Sequence, residues 1–558
     1  MSTYSKQSLV DIEKNLSQVS PGVILDGKNL SIRDILTVAR SNTDISLTTD
    51  TKILNRIKEC YEHMMEDMRN GVPIYGCNTG YGARASRVVN HGTSEERIEL
   101  ARAISESIQH IDVSTGPVFE KDVTRGAMLI RINMLMQGVS GVKLADLQLY
   151  TDMLNAGITP IVNQYGGIGA SGDLAHNCRV LSAARHLPGT KVWDKDGNTK
   201  EAKDALSAAS IQPLLLDPKV GLGMVNGDNF STALATLLAF DTLEIFLLSS
   251  VVGAMMIEVL QGSNRSFHSM LSDVRPHTGQ KEIAAVYRYL LDGSKLAFQE
   301  MTEHKVRPEG VKVQDAYSLR CIQQYQAGNV DRLKQIFDTI TINANSVSDN
   351  PLWVAPEYTV VGESPWHWVS GGNFLAMHMA EAMDQLRKII TQVVKLNDRH
   401  LGRLVNPNEN NGLPANVSGK DAISQCTFKG VQIQSGMFDV YSTILSIPVT
   451  TMFGVHEEMN QDITSHALTS GILGLENLRL ARYSTAQNLL AVAQAVDLRG
   501  GPEKLSDHTR PLYEFVRGKA DYTEKEKPLH NEIESLYESI KNGEIMDVVR
   551  TKVFHELQ

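Results

Sequence analysis

Apolar residues in the second half of the chain recur every three or four positions over stretches longer than an average helix. Leu375, Met379, Met383, Leu386, Ile390 and Val393 or Val394 fall on one helical face. Segments with few breakers run over Thr232–Gln261, Gln314–Ser348, Asn373–Leu401 and Leu468–Asp497, and rods of that length bury one another in a bundle. The greasiest segment, Phe240 to Leu260, is interrupted by Asp241, Glu244 and Glu258. Charges are costly within a bilayer, so a helix apolar nearly all round predicts the buried central rod of a bundle rather than a membrane span.

Upstream of about residue 210 the pattern changes. Short helical periodicities, among them Glu99–Gln109 and Leu174–Leu187, alternate with turn-rich loops such as Asn78-Thr79-Gly80-Tyr81-Gly82 and Gly166-Gly167. The polar stretch Trp193–Asn198 reads as a hairpin. Loops of this kind usually carry functional groups. Near the end of the chain, Glu524–Lys527 and the helical run Glu532–Asn542 read as a solvated cap. The predicted fold is mainly α: a loop-rich region over 1–215, a long-helix bundle over 216–500 and a helical cap over 501–558, packed as one unit without repeats or a Pro-rich linker.

Composition then narrows the function. The 558 residues are 21% charged and 42% hydrophobic with a formal charge of −10, which leaves no basic footprint for nucleic acid. Cys60, Cys77, Cys178, Cys321 and Cys426 are scattered without metal-ligand spacing, and Met1–Lys6 has no apolar signal core. Both point to a reducing, cytoplasmic setting. His456-Glu457-Glu458-Met459 is followed by Asn460 where a zinc helix needs a second histidine, so no metal site is expected.

The richest candidate chemistry lies in Tyr165-Gly166-Gly167-Ile168-Gly169-Ala170-Ser171-Gly172-Asp173. If the amide nitrogen of Gly172 is pressed onto the carbonyl carbon of Ala170, ring closure and loss of two waters leave Ser171 as an alkene on an electron-poor imidazolone. That is an electrophile which no ordinary side chain supplies. The same residues also spell G-x-G-x-x-G between the apolar run Ile158–Val162 and a helical pattern, with Asp194 about 20 residues on, as a dinucleotide fingerprint requires. A plain glycine-rich turn is a third reading. A doubly wound sheet needs strands alternating with helices well beyond the single unit available here, which weighs against the nucleotide reading.

Seven motifs in order carry a resemblance: Ile74–Gly82, Gly169–Leu174, Met224-Val225-Asn226-Gly227, Tyr317-Ser318-Leu319-Arg320-Cys321 with Gln324, Asn345–Pro351, Gly371-Gly372-Asn373-Phe374 and Asn411-Gly412-Leu413-Pro414. Over roughly residues 25–515 the chain resembles the aromatic amino acid ammonia-lyase and aminomutase family, nearest in pattern to bacterial phenylalanine ammonia-lyases. The resemblance implies the long-helix architecture of the fumarase and aspartase superfamily. The fumarase-type signature loop itself is absent, Gly262-Ser263-Asn264-Arg265 being the nearest approach.

What the resemblance implies about chemistry attaches to particular residues. The 4-methylideneimidazol-5-one ring (MIO) would form from Ala170-Ser171-Gly172, with no metal or nucleotide. Tyr75 matches the base that takes the β-proton; its free pKa near 10 would have to fall by about 3 units, roughly 4 kcal/mol, to be half ionised at neutral pH, with the loop amides and Gly76 as candidate donors. Arg320 matches the carboxylate clamp, suited by its planar fork, and Tyr317 shares its helical face. Asn226 and Gln324 match amide partners of ring and substrate, and Leu174, Asn350 and Phe374 stand in the matching site motifs. Lys429 and Glu457 match a phenylalanine-type pair, while Gln461 stands where histidine-specific members carry glutamate.

Ser107 and Ile108 match the selectivity switch, where Ile108 offers a phenol no partner and so favours phenylalanine. Departures occur at Ala103, Ser107, His176-Asn177 in place of Pro-Leu, Asp228 in place of threonine and Ser370 in place of histidine. His176 reads as a satisfied helix-surface histidine more readily than as a site residue. The expected activity is an ammonia-lyase giving a trans-arylacrylate such as cinnamate, in a homotetramer with shared sites. An aminomutase giving a β-amino acid, a lyase for tyrosine, histidine or a larger aromatic, and a non-catalytic or nucleotide-binding helical protein are the alternatives.

Overall fold

The computed structural model describes residues 4–300, 313–364, 367–419, 426–452 and 454–556. Its axis is the helix Asn229–Val259, in which all but Asp241 and Glu244 are buried. No polar face exists to turn toward water, so neighbours cover it on all sides: Lys121–Leu135, Ile322–Ala344, Met377–Val405 and Ala467–Leu498. Asp241 and Glu244, expected to rule out a membrane span, meet arginines instead, with Asp241 paired to Arg40 and Arg482.

Contacts along the axis fix the directions of the rods. Gly471 lies against Leu234 and Met383, and Gly474 against Leu238 and Arg387. Further along, Asn397 bonds both Ser249 and Thr485. The helices Asn229–Val259, Met377–Val405 and Ala467–Leu498 therefore run parallel, with their N-termini at one end. Lys429–Leu445 runs the other way, Ser442 meeting Thr391 and Ser435 meeting Asp398. The face of Met377–Val405 read from the sequence is the buried one, with Met379, Met383, Leu386, Ile390, Val393 and Val394 all in the core, whereas Leu375 precedes the helix and is half-buried.

Several expectations change in detail. The segment Gln314–Ser348 is two helices, Tyr317–Arg320 and Ile322–Ala344, broken where Cys321 leaves helical geometry at φ −104° and ψ 13°. Lys429–Leu445 was hidden in the sequence by Gly430 and Gly436. The final stretch is more than a solvated cap: Tyr537 stacks on Tyr483 at 4.0 Å, Arg550 pairs with Glu13 at 2.6 Å, and Leu512, Val516, Leu536 and Val549 are buried.

Strands are short. Val23–Leu25 pairs in parallel with Ile45–Leu47, and the other strand-to-strand pairings among the described residues are antiparallel. No doubly wound sheet exists among the described residues, which removes the nucleotide alternative. Asp194 closes the hairpin between Lys191–Trp193 and Thr199–Glu201 by accepting the Asp196 and Asn198 N–H groups at 3.0 and 2.9 Å, a turn-forming aspartate rather than a ribose ligand.

Candidate active site

Ser171 lies in the turn between the strand Asn163–Tyr165 and the helix Leu174–Ala184, and the turn is gripped from two sides. Gly172, at φ 72°, pairs in parallel with Gly227, and a methyl group on it would overlap the Gly227 carbonyl. Only glycine combines that φ with that approach. The Asp173 N–H donates to the Gly227 carbonyl at 2.8 Å, and the Asp173 carboxyl accepts from Ser231 N and Oγ at 2.8 and 2.7 Å. Burial pushes that carboxyl up to about 7.

From the other side Ser465 Oγ donates to the Gly169 carbonyl and His466 N to the Ile168 carbonyl, both at 3.0 Å. Helices starting at Leu174, Asn229 and Ala467 thus bring three N-termini, each carrying partial positive charge, to the Ala170-Ser171-Gly172 turn.

The Tyr75 loop is braced by its own short polar side chains. Asn78 Oδ1 accepts the Ile74 N–H at 2.8 Å and Thr79 Oγ1 the Gly76 N–H at 3.0 Å. The amide that reaches the phenol is Gly82, whose N–H donates to the Tyr75 oxygen at 2.9 Å; Gly76 is occupied with Thr79. Burial raises the Tyr75 pKa above its ordinary value, the Gly82 N–H opposes the rise, and Glu457 adds to it. Tyr81 packs edge-on to Tyr75 at 6.5 Å and donates to the Ile104 carbonyl at 2.9 Å, tying this loop to the helix Ser94–Ser107.

A third wall is unusual in its backbone. Glu457, Glu458 and Met459 hold φ of 51°, 55° and 71°, three consecutive left-handed residues that cost about 1–3 kcal/mol each without glycine. Glu457 Oε1 accepts the Ala83 N–H at 3.0 Å, Oε2 accepts Asn460 Nδ2 at 2.7 Å, and Gln461 Nε2 donates to Ser171 Oγ at 3.1 Å. One chain therefore brings Tyr75, Glu457, Gln461 and the Ala170-Ser171-Gly172 turn together.

Asn226 precedes the pressed Gly227. Its Nδ2 donates to the Asn350 carbonyl at 3.2 Å, and its Oδ1 is buried with no partner among the described residues. Asn350 Oδ1 accepts the Gly371 N–H at 2.8 Å and Asn373 Nδ2 reaches the Val347 carbonyl at 3.2 Å, which carries half-buried Phe374 to the same end of the bundle. Leu174, also half-buried, is the first residue of its helix. Ser107 ends the helix Ser94–Ser107 exposed, whereas Ile108 is 1% exposed, its carbonyl accepting Cys178 Sγ at 3.5 Å.

Tyr317, Arg320, Gln324 and Lys429 lie elsewhere. The Arg320 guanidinium covers the Tyr317 ring at 4.6 Å and its Nε donates to the Asp315 carbonyl at 2.9 Å. Asp315 in turn holds Ser263 N at 2.7 Å, and the Ser318 carbonyl meets His400 Nε2 at 2.7 Å. This places the group beside the last turns of the central rod. Tyr317 is 72% exposed, Gln324 is half-buried, and Lys429 is exposed at the start of the antiparallel helix, by the same end. The rod has 31 residues, so at ~1.5 Å per residue roughly 45 Å separates this cationic end from Ser171.

His176 is not on the surface. It is 0% exposed, its Nε2 meets the Gln164 carbonyl at 3.0 Å, and it sits between Phe119 and Phe230, because strand and loop cover the outer side of its short helix. Burial lowers its pKa to about 4, so it is neutral near pH 7. Asp228 is buried, accepting Asn343 Nδ2 at 3.0 Å, and Ser370 is exposed. Sequence reasoning passed over Gly82, Gly227 and Asp173, although each sits within or beside a quoted motif, and it passed over Ser465, which carries no local signal. Among the described residues no group of three or more His, Cys, Asp and Glu converges to hold a metal.

Candidate groups borne on loops at the ends of long parallel rods define a lyase-type helical bundle of the fumarase-like superfamily. The family model described as aromatic amino acid lyase matches residues 30–518. A histidine ammonia-lyase of Myxococcus xanthus is 31% identical over 95% of this chain and 99% of its own, and a phenylalanine ammonia-lyase of Nostoc punctiforme is 32% identical over 88% and 86%. Among solved structures, a tyrosine aminomutase from Streptomyces globisporus superposes with a TM-score of 0.86 at 28% identity, covering 96% of this chain and 99% of that one. The chain belongs to the aromatic amino acid lyase family, an MIO-dependent family, and is a carbon–nitrogen lyase.

Proposed function

We propose that the chain is a cytoplasmic, homotetrameric ammonia-lyase that eliminates ammonia from an aromatic L-amino acid, phenylalanine in preference, to give a trans-arylacrylate such as cinnamate. The observation that carries this reading is the grip on Gly172 by Gly227 beside a tyrosine oxygen that accepts a backbone N–H. The residues present fit an MIO group: a Cβ at Gly172 has no room, and the buried Oδ1 of Asn226 has no partner among the described residues. When formed, that group supplies an electrophile for the substrate amine.

The chain's own residues do the rest. Tyr75, ionised beforehand, takes the β-proton and becomes the neutral phenol, and the Gly82 N–H steadies the phenolate that precedes the transfer. Arg320 of a neighbouring copy grips the substrate carboxylate through two parallel hydrogen bonds, and Tyr317 and Gln324 beside it flank the substrate. Glu457 receives the released ammonium, and Lys429 from a neighbouring copy balances it. Neutral Gln461 gives an imidazolium no counter-charge. Leu174, Phe374 and Ile108 provide apolar walls, and exposed Ser107 leaves room at the ring's far edge.

Because burial and Glu457 raise the Tyr75 pKa, activity should rise with pH until the phenol ionises. Cations from a neighbouring copy would bring that rise to lower pH. A second copy is supported by Lys429–Leu445, which exposes Ile433, Met437, Val440 and Ile444 on one face at the four-three-four spacing of a helix–helix seam. The free cysteines support a reducing compartment.

Intact-protein mass spectrometry should show a deficit of two water molecules, and incubation with phenylalanine should raise cinnamate absorbance faster than histidine or tyrosine gives its own arylacrylate. A full-mass folded chain, or preference for histidine, would defeat the respective parts of the proposal. The likeness to a tyrosine aminomutase favours one second reading, a 2,3-aminomutase. Chromatography of the phenylalanine incubation separates them: β-phenylalanine as the main product would make it the mutase.

A further inference from the structure

Two departures from the family pattern, Asn177 and Asp228, are found behind the reactive turn, and Asn229 follows the second. Asn177 stands on the inner face of Leu174–Ala184, a little over one helical turn beyond Gly172, and is buried. Its Nδ2 donates to the Val225 carbonyl at 3.0 Å, to Asn229 Oδ1 at 2.9 Å and, more weakly, to the Gly227 carbonyl at 3.3 Å. Asn229 answers with Nδ2 to Asn177 Oδ1 at 2.8 Å and to the Ala127 carbonyl at 3.0 Å.

This reciprocal amide pair spans the peptide that presses on Gly172. A methyl group on Gly227 would in turn overlap Arg131, which is fully buried and donates Nη2 to the Gly223 carbonyl. The peptide Val225–Gly227 is therefore trapped, with Gly172 before it, Arg131 behind it, and the amide pair fixing its carbonyls. Amides buried from water keep their bonds because losing one strands its partner, and a satisfied buried network is stiff. The leucine that the family pattern carries at position 177 makes no such bonds.

We propose that Asn177 and Asn229 are positioning residues for maturation of the active site, holding the Gly227 carbonyl against Gly172 so that the Gly172 nitrogen is compressed onto the Ala170 carbonyl carbon. The inference rests on the MIO reading above. In the step they promote, the Gly172 nitrogen bonds to the Ala170 carbon. The Ala170 oxygen leaves as water with the amide hydrogens of Gly172 and Ser171, and the Ser171 hydroxyl leaves as a second water with the Ser171 α-hydrogen. Bonds and electrons balance without an oxidant, and neither asparagine exchanges a proton.

The test follows ring formation rather than turnover. Wild type, Asn177→Leu, Asn177→Asp and Asn229→Ala, each as full-length protein, are sampled by intact mass spectrometry at intervals after synthesis, with circular dichroism and oligomeric state measured in parallel. Asn177→Asp keeps the shape and the bond from Asn229 but cannot donate to the Val225 and Gly227 carbonyls. Both Asn177 variants should therefore acquire the two-water deficit about tenfold more slowly than wild type, or more slowly still. Asn229→Ala, which leaves Asn177 its donors but not its orienting partner, should be intermediate.

Folded Asn177→Leu or Asn177→Asp that loses water at the wild-type rate would overturn the inference, leaving the pair a mere tie between helices. Should the Asn177 variants fail to fold, folded Asn229→Ala maturing at the wild-type rate would overturn it equally. If wild type shows no deficit at all, the MIO reading fails and takes this inference with it. A deficit that wild type and all variants acquire at the same rate defeats the positioning role alone.

Discussion

The two ends of the central rod differ in what they present. At the N-terminal end, loops 74–84, 166–173 and 457–461 interlock through backbone and side-chain bonds within one chain, and three helix N-termini face Ser171. At the C-terminal end stand the groups suited to hold an anion, Arg320 and Lys429 with Tyr317 and Gln324, two of them open to solvent. In the proposed function one end reacts with an amine and the other grips a carboxylate. A substrate a few ångströms long cannot bridge roughly 45 Å of helix, so that function requires an end of one copy to meet the opposite end of another. On that proposal a single chain prepares two half-sites and completes neither.

The sharpest test removes one group from the N-terminal end. Tyr75→Phe should lower kcat by about 10²–10⁴-fold, the usual share of a positioned general base, while the two-water mass deficit persists; activity within a few-fold of wild type would remove Tyr75 from its role. A subtler test mixes the ends. Subunits carrying Ser171→Ala and subunits carrying Arg320→Gln, each inactive alone, should regain roughly a quarter of wild-type activity when co-expressed, because random assembly pairs intact halves in that share of sites. No recovery in verified mixed oligomers would mean that both groups serve from one chain.

A smaller effect is expected at Glu457. Its oxygen latches the Ala83 amide and its charge raises the Tyr75 pKa. Glu457→Gln retains an acceptor and drops the charge, so the rise of kcat with pH should move to lower pH; an unmoved profile would contradict the electrostatic half of that account. The least effect concerns stability. Glu258, at the cationic end of the rod, accepts Ser506 N and Thr509 Oγ1, both at 2.7 Å, and burial pushes its carboxyl up to about 7 from 4.5. A carboxyl with a raised folded pKa stabilises the fold fully below its unfolded value, and that contribution is lost as pH climbs toward 7. Glu258→Gln should flatten the decline of Tm between about pH 4.5 and 7, and a slope as steep as wild type would exclude Glu258 as its source.

How much of this was legible in the chain depends on the range of the interaction involved. Periodicity located the rods Asn229–Val259, Met377–Val405 and Ala467–Leu498 to within a few residues, because one helix face repeats every few positions. It missed the break at Cys321 and the helix Lys429–Leu445, which depend on what packs around them. Local motifs marked Tyr75, Ser171 and Asn226, yet gave no hint that Gly82 would serve Tyr75, that Ser465 would hold Gly169, or that His176 would be buried between two phenylalanines.

The sequence by itself determined the helical class, the apolar axis and the order of the reactive motifs, since each is written in contiguous residues and in the 3.6-residue period of a helix. Only the tertiary structure decided that Gly227, 55 positions beyond Gly172, presses on it, that Glu457 reaches the Tyr75 loop, and that Arg320 stands at the opposite end of the rod from Ser171. Those facts depend on which loops share an end of the bundle, and that is set by the directions in which rods far apart in the chain pack against one another.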